Sequence, residues 1–298
     1  LNEDYIFSTK DALENSLSYE KSFGNHNLNF LGLISYEQFN SKALGTGVIF
    51  AENASNDLQT LGSGSEATAP YSNDERRTLS GKLFRIQYNY LSKYLFSASV
   101  RRDGSSKFGE NNRYGNFLGF SAGWNIHEEK FFDVKAIDAL KLRASWAQVG
   151  NQDIASYSFT PVIESGINYP FGPNEQLNFG AIQRSYVDGD IRWETTVSNN
   201  LGLDLTMMDY RLSFTLDVYR NLKRDMLLQE RLPPSAGVYQ PRAIDFYAVK
   251  VTNAGNMTNT GVELSVNYRN KTKFGMDYKV TGTFTKNVNV ITDLNGVE

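Results

Sequence analysis

Apolar and polar side chains alternate most clearly along Arg192–Asn221. From Trp193 to Leu205 the odd positions are mostly apolar and the even positions mostly polar, and from Leu212 onward the even positions are apolar. Because successive side chains of a strand point to opposite faces, each half has one apolar and one polar face. The connection over Met207–Tyr210 is short. The stretch therefore predicts a long two-faced β-hairpin.

The same alternation recurs along the chain and predicts about ten strands in five consecutive hairpins. The four further hairpins cover Leu13–Gln38, Thr78–Arg101, Leu118–Trp146 and Val262–Phe284. The stretches between the hairpins lose the alternation and are rich in Gly, Ser, Asn and Pro, which predicts loops. These loops are Ser41–Asn73, Asp103–Gly115, Asn151–Arg192 and Lys223–Met257, and a connection with one helical turn is expected within Glu128–Asp138.

Strand length and loop placement decide between two all-β architectures. Alternation alone favours a secreted β-sandwich, because half-buried sheets of soluble proteins are common. The strands, however, run about nine to thirteen residues, which suits a tilted span of a bilayer better than a sandwich. Short turns lie at one end of the sheet and long loops at the other, and aromatic residues flank the short turns, as in outer-membrane barrels. We therefore predict an antiparallel transmembrane β-barrel wall.

Composition excludes several classes of protein. The net charge is −3 over 298 residues, so the basic surface of a nucleic-acid-binding protein is absent. There is no Cys, which removes disulfides and thiolate chemistry. No apolar run approaches the roughly 18 residues of a membrane-spanning helix. The N-terminal LNEDYIFSTK has no basic or apolar leader, so any signal peptide is expected to lie outside this chain.

Candidate catalytic and metal-binding residues are sparse. His26 and His127 stand alone, without a second ligand at helical spacing or a patterned nucleophile, so neither is expected to bind a metal or move a proton. Gly62–Gly64 lacks the residues of a phosphate-binding loop. Asp103–Ser106 has oxygen ligands suited to calcium, but a strand-end turn is the favoured interpretation. The sequence therefore predicts no enzyme, no metal and no cofactor.

Two sets of residues are candidates for solute binding. Charged positions on the polar strand faces are predicted to line a hydrated lumen: Lys141, Arg143, Asp204, Glu263, Asp277 and Lys279. Aromatic rings in the long loops, next to Asn and Asp, suit sugar stacking or a protein interface, and packing of loop against loop is an equally good alternative. These rings are Tyr157, Phe159, Tyr169, Phe171, Phe179, Tyr186, Tyr239, Phe246 and Tyr247.

Several of these stretches, taken together, resemble a known family. The segments are DGSSKFGENNRYGNFLGFSAGWNIHEEKFF, LKLRASWAQVGNQDI, IRWETTVSNNLGLDL, YRLSFTLDVYRN and NAGNMTNTGVELSVNY. In their order and spacing they are similar to barrel motifs of SusC/RagA-type TonB-dependent transporters, over about Arg77 to Thr285. No plug-domain motif and no TonB-box-like segment is found among them. The resemblance therefore implies that residues 1–298 are a partial barrel domain, about ten of roughly 22 strands.

The resemblance also implies location, function and partners. Such transporters lie in the outer membrane of Bacteroidota and take up oligosaccharides or peptides. They work with a SusD-like lipoprotein as a lid and draw energy through the TonB complex, which would contact parts of the protein outside this chain. Outer-membrane lipid would contact the apolar face. A secreted β-sandwich that binds glycans remains the alternative, and an outer-membrane enzyme is disfavoured by the missing catalytic constellation.

Overall fold

A computed structural model of the chain describes residues 1–50, 60–166, 168–183, 186–232, 235 and 248–294. Ten of its strands form one antiparallel sheet. These strands are β1 (Asn2–Phe23), β2 (His26–Ile49), β3 (Glu66–Tyr90), β4 (Tyr94–Ser105), β5 (Tyr114–Asn125), β6 (Ile137–Asn151), β11 (Glu194–Met207), β12 (Leu212–Arg224), β15 (Asn256–Lys271) and β16 (Asp277–Asp293).

Six shorter strands lie in two of the predicted loops. In the loop after β6, β7 (Ile163–Ser165) pairs with β10 (Ala181–Gln183), and β8 (Tyr169–Phe171) pairs with β9 (Gln176–Asn178). In the loop after β12, β13 (Leu227–Leu232) pairs with β14 (Ala248–Asn253). A 3-10 turn at Ile126–Glu128 begins the connection to β6. Among the described residues, no helix is long and apolar enough to span a membrane.

Each strand of the large sheet pairs with the next large strand along the chain, from β1 at one edge to β16 at the other. The predicted ten-stranded antiparallel wall is confirmed. The sandwich alternative is wrong, because the described residues place no second sheet over the apolar face. Leu201 is 66% exposed, and Leu203, Phe214 and Leu216 are also not buried.

The predicted loop over Ser41–Asn73 is shorter than expected. β2 continues to Ile49 and β3 already begins at Glu66. The backbone hydrogen bonds of this part are satisfied across the ladder, so strands form without a regular apolar alternation. We call the part of β1–β3 beyond the register row Asp11–Gln38–Thr78 the outer ribbon.

Register places the apolar side chains of neighbouring strands on one face, in a band that we call the apolar belt. On β3 the belt runs from Phe84 to Tyr90 and ends at Lys82; on β16 it begins at Tyr278 and includes Phe284, and Val288 and Val290 continue the same face beyond Lys286. A single register row joins its lower edge at Tyr90 on β3 to Phe284, six residues above its lower edge on β16: Tyr90, Tyr94, Trp124, Leu142, Leu203, Leu216, Leu264 and Phe284.

The belt is therefore slanted with respect to the strands. Between β3 and β16 it moves by about six residues, roughly 20 Å at ~3.3 Å per residue. Seven strand-to-strand steps separate β3 from β16, and they cover about 34 Å at ~4.8 Å each. The resulting tilt of about 30° is close to the strand tilt of roughly 35–45° in membrane barrels.

Aromatic rings follow the short-turn end of the sheet. Ring centroids lie 5.0 Å apart for Phe23 and His26, 4.8 Å for His26 and Tyr90, and 6.3 Å for Tyr90 and Tyr94. Glu129, in the connection after β5, accepts hydrogen bonds from Tyr94 (2.6 Å) and Trp124 Nε1 (3.1 Å). These donors, more than the nearby Lys93, hold the pKa of Glu129 below its ordinary value.

Candidate functional site

The long loops meet in a small apolar core at one end of the sheet, which we call the loop platform. Its five buried side chains come from four separate places in the chain: Phe108, Phe117, Ile154, Ile191 and Trp193. Phe108 and Ile191 are fully buried. The Trp193 ring lies 5.1 Å from the Phe108 ring and 5.6 Å from the Phe117 ring, centroid to centroid.

The loop platform covers the polar face of the sheet. Phe117 is on the same face of β5 as Gly119 and Ser121, and Leu79, which packs against the cluster, is on the same face of β3 as Arg85. Trp193 was predicted to alternate with the apolar residues of β11. The strand begins at Glu194, and the Trp193 side chain packs into the loop platform and donates Nε1–H to Arg113 O at 3.2 Å.

Polar contacts tie the loops to one another. Asn112 Nδ2 donates to Asp190 O at 2.9 Å, which joins the loop after β4 to the segment before β11. The backbone N–H of Arg192 donates to Asn253 Oδ1 at 2.7 Å, and its guanidinium pairs with Asp225 at 2.7 Å. The Asp225 hydrogen bond raises the pKa of Arg192. Three loops are thereby held in one arrangement over the mouth of the polar face.

Glu194 is the buried acid of this region. It accepts from Asn151 Nδ2 (3.1 Å), Lys223 Nζ (3.0 Å) and the backbone N–H of Leu227 (3.1 Å). Burial on its own would raise the pKa of this carboxyl, but the three hydrogen bonds and the Lys223 charge together hold it below its ordinary value. Glu194 therefore anchors β6, β12 and the start of β13 to the first residue of β11.

A polar cavity of about 280 Å³ lies on the polar face beside the loop platform. Glu37 and Arg77 lie on the sheet side, and Lys107 and Asp153 on the loop side. The side-chain oxygen of Gln152, which also lines the cavity, is buried and has no hydrogen-bond donor among the described residues. The cavity therefore offers charged groups of both signs to a polar solute, beside a buried acceptor without a donor.

An ion network crosses three strands on the polar face, at the height of the apolar belt. Arg143 on β6 donates to both oxygens of Asp204 on β11 (2.8 and 3.1 Å) and to Asp217 on β12 (3.1 Å). Asn200 Nδ2 donates to the other Asp217 oxygen at 2.8 Å. Gly202 lies between them, and a Cβ there would sit 2.6 Å from Arg143 Cζ. The missing side chain lets the guanidinium reach across β11.

Register places all six predicted lumen-facing residues on this polar face. Asp204 is opposite Lys141, and Gly202 is opposite both Arg143 and Asp217. Asp217 is in turn opposite Glu263, and Lys279 and Asp277 follow on the same face of β16. Only Arg143 and Asp204 of the six are brought together in the network. Sequence analysis missed its other members, Asp217, Asn200 and Gly202, although a glycine on a polar strand face is a signal for a close approach.

The predicted loop aromatics separate into two groups. Tyr157 and Phe159 pack against the protein: the Tyr157 hydroxyl bonds to the backbone of Arg76 (3.2 and 3.3 Å), and Phe159 lies against the loop platform. Tyr157 is nevertheless 49% exposed, and four further rings without such contacts are exposed, namely Tyr169, Phe171, Phe179 and Tyr186. Tyr239, Phe246 and Tyr247 lie outside the described residues. Contact of any of these rings with a solute stays a prediction.

The Asp103–Ser106 segment is occupied by protein contacts. Asp103 accepts twice from Arg101 Nε, at 2.9 and 2.7 Å, and Ser106 Oγ accepts from the backbone N–H of Thr78 at 2.8 Å. This agrees with the strand-end turn. Within the described part of the chain, no group of three or more His, Cys, Asp or Glu side chains is placed to hold a metal ion.

A slanted apolar belt on one face, an ion-lined polar face on the other and short turns opposite long loops together define the wall of an outer-membrane β-barrel. Residues 2–297 match the family model described as TonB dependent receptor-like, beta-barrel. The chain belongs to this family and is an outer-membrane protein.

Curated relatives and solved structures agree with this assignment. TonB-dependent receptor P3 of Formosa agariphila is 32% identical over 98% of this chain, and TonB-dependent receptor SusC of Bacteroides thetaiotaomicron is 31% identical over 74% of it. The solved structure titled "Structure of the RagAB peptide transporter" superposes with a TM-score of 0.85 at 23% identity, over all of this chain. Both organisms belong to the Bacteroidota, as the resemblance implied.

The match covers only part of each relative. The chain spans 28% of the Formosa receptor, 21% of SusC and 32% of the RagAB chain. About ten strands of the wall are therefore compared, and the likeness to the RagAB structure shows the fold alone.

Proposed function

We propose that this chain is part of the barrel of a SusC-like transporter that takes up oligosaccharides or peptides through the outer membrane. The family match over residues 2–297 carries the proposal, supported by the relative named SusC and by the RagAB structure, whose title describes a peptide transporter. Because the relatives are more than three times as long as the chain, residues 1–298 are proposed to be a partial barrel domain. The plug and remaining strands complete it, and the TonB complex acts through those parts.

The polar face is the proposed wall of the solute path. Arg143 is paired with Asp204 and Asp217 within the sheet, which leaves one negative charge in excess, so the path presents a hydrogen-bonded charge network with a weak net field at that height. A neutral or zwitterionic solute passes such a surface without being trapped by it. Lys141, Glu263, Asp277 and Lys279 are proposed to line the solute path in the same way. No covalent chemistry is involved.

The mouth is the proposed site of first contact with the nutrient. Tyr169 and Phe171 lie on the same face of β8, opposite Asn178 and Gln176 of β9, so two exposed rings are flanked by amides. Rings with neighbouring amides suit the apolar faces and hydroxyls of a sugar, and also a peptide. The nearby loop platform holds the base of this loop still while its tip remains free for nutrient or for a SusD-like lipoprotein.

The β8–β9 hairpin allows a matched test. In the full-length protein, Tyr169→Ala with Phe171→Ala removes one face of the hairpin, whereas Leu177→Ala changes the other face, where Leu177 is 67% exposed. Uptake of labelled oligosaccharide mixtures and of labelled oligopeptides by whole cells is measured beside co-purification of the lid lipoprotein. Loss of about 1 kcal/mol of aromatic contact per ring predicts roughly a tenfold or greater drop in uptake.

The outcomes separate the parts of the proposal. Reduced uptake with an unchanged lid indicates nutrient contact, and reduced co-purification indicates a lid interface. Unchanged uptake and an unchanged lid in the double variant discard the hairpin as a contact surface. Failure of the full-length protein to import either labelled mixture argues against the transport function itself.

A further inference from the structure

A gap in the apolar belt lies over Gly32 on β2. In the register row Leu17–Gly32–Phe84–Val100, glycine is the one residue of the four without a side chain. A Cβ added at Gly32 would meet nothing within 4 Å. The result is a groove of about 500 Å³, whose exposed apolar walls include Leu17 (78%) and Phe84 (50%).

Two cations stand at the outer rim of this groove. Lys82 on β3 and Arg102 on β4 are direct register partners, one row beyond Phe84 and Val100, and both are exposed and line the groove. Like charges opposite each other on a sheet are unfavourable. Arg102 lies 4.9 Å from the centre of the Tyr114 ring, and neither cation forms an ion pair with an acidic residue in the described part of the chain.

The neighbouring positions on this face do not neutralise the two charges. In the cation row, Asn15 and Ile34 precede Lys82, and Asn116 follows Arg102. The next row outward contains no acid either; its residues are Leu13, Tyr36, Ser80, Gly104 and Tyr114. The polar face differs, because Arg143 there has two carboxylates within 3.1 Å. The two cations at the rim are therefore available to bind an anion from outside the protein.

The height of the site selects the kind of anion. The groove lies within the apolar belt, and the cations lie where the belt ends, on the long-loop side. Short turns of outer-membrane barrels are periplasmic, so this side is the outer leaflet. The charged head of an amphiphile in that leaflet comes to the level of Lys82 and Arg102, and its acyl chain comes to the level of Gly32.

We propose that this groove is a binding site for a phosphate-bearing lipid of the outer leaflet. One phosphate sits between Lys82 Nζ and the Arg102 guanidinium, and one acyl chain lies over Gly32 between Leu17 and Phe84. The site is distinct from the solute path, because it is on the opposite face of the sheet, and it does not depend on what the transporter carries.

The test measures lipid binding to the full-length protein in detergent micelles by native mass spectrometry. The probe is dioctanoyl phosphatidic acid, with dioctanoyl phosphatidylcholine and inorganic phosphate as comparators. Lys82→Gln with Arg102→Gln is expected to weaken phosphatidic acid binding about 25-fold, since each cation near an anionic headgroup contributes roughly fivefold. Gly32→Leu fills the groove without changing charge and is expected to weaken binding about tenfold, equivalent to displacing two CH₂ groups.

Lys130→Gln with Lys135→Gln is the matched control, because it removes two exposed cations at the short-turn end. The proposal stands if the rim and groove variants both lose phosphatidic acid while the control binds as wild type does. It is overturned if the control loses as much as the rim variant, which indicates bulk charge. It is also overturned if Gly32→Leu has no effect or if inorganic phosphate displaces the lipid, since the acyl chain then plays no part.

Discussion

The apolar belt and the loop platform use the same kinds of side chain in opposite ways. In the loop platform Phe108 and Ile191 are fully buried by protein, whereas in the belt Leu201 is 66% and Phe284 59% exposed. The belt is one layer thick, and most of its side chains lie beside neighbours on adjacent strands. The platform is a compact cluster in which side chains from several loops surround one another.

The difference shows which solvent each region is built for. In the belt, lipid replaces the second protein layer, so burial is completed by the membrane. In the platform, water surrounds the loops, so burial must be completed by the chain itself. Substitutions with the same chemistry should therefore have different consequences in the two regions.

Trp193→Ala should destabilise the loop platform by about 3–5 kcal/mol, because it empties the centre of a buried cluster. The large sheet should remain folded. Proteolysis of the loops in the full-length protein measures the effect as a faster cleavage rate. Phe179→Ala, at a ring that is 94% exposed, is the control and should change the rate little. Equal cleavage of both variants would show that the platform does not hold the loops.

Leu203→Arg should cost about 2–4 kcal/mol in folding into lipid vesicles, because Leu203 is the middle one of three leucines of the belt on β11. Thr206→Arg, on the polar face of the same strand, should cost much less. Denaturant titration of the full-length barrel in vesicles gives both values. A cost below about half a kilocalorie for Leu203→Arg contradicts lipid contact at this position.

Gly202→Ala should destabilise the barrel by about 1–3 kcal/mol, because the new methyl group displaces the Arg143 guanidinium from Asp204 and Asp217. Gly32→Ala is the matched control, since a Cβ at Gly32 meets nothing within 4 Å. It should be neutral or slightly stabilising, because alanine lowers the conformational entropy of the unfolded chain. The same vesicle titration compares the two. If the two alanines behave alike, the ion network contributes nothing to stability.

Glu194→Gln should loosen the loop platform by about 1–2 kcal/mol at pH 7, because it removes charge-assisted hydrogen bonds. The pKa of Glu194 is lowered in the folded state, so its contribution is fully present above the ordinary value of 4.5 and is lost as pH falls through the lowered pKa. Hydrogen exchange of residues 186–193 in the wild type and the variant should therefore converge on acidification. A difference that persists at low pH contradicts the role of the charge.

The sheet could be predicted from the sequence because each belt strand has its own period of two. The positions of Leu201, Leu216 and Leu264 on one face follow from that alternation alone, and register then joins them. The outer ribbon could not be predicted in this way. Its residues do not alternate between apolar and polar, so their order does not distinguish strand from loop, and the pairing of β2 with β3 extends them.

The candidate site was predictable only in part. Charges on polar strand faces were found, but the role of Gly202 depends on two neighbouring strands whose register the sequence does not reveal. The loop platform was missed because Phe108, Ile154 and Ile191 come from irregular segments without any period. The place of Trp193 in the loop platform was also missed, because its position simply continues the alternation of β11 by one residue beyond the start of the strand.

The outer ribbon has a mechanical consequence. On β3 it continues from Thr78 to Glu66, about 40 Å along the strand at ~3.3 Å per residue. Its three strands belong to the same antiparallel sheet as the apolar belt, with one break of register between Gly45 and Gly47. A force applied at its far end is therefore transmitted to the rest of the sheet through backbone hydrogen bonds.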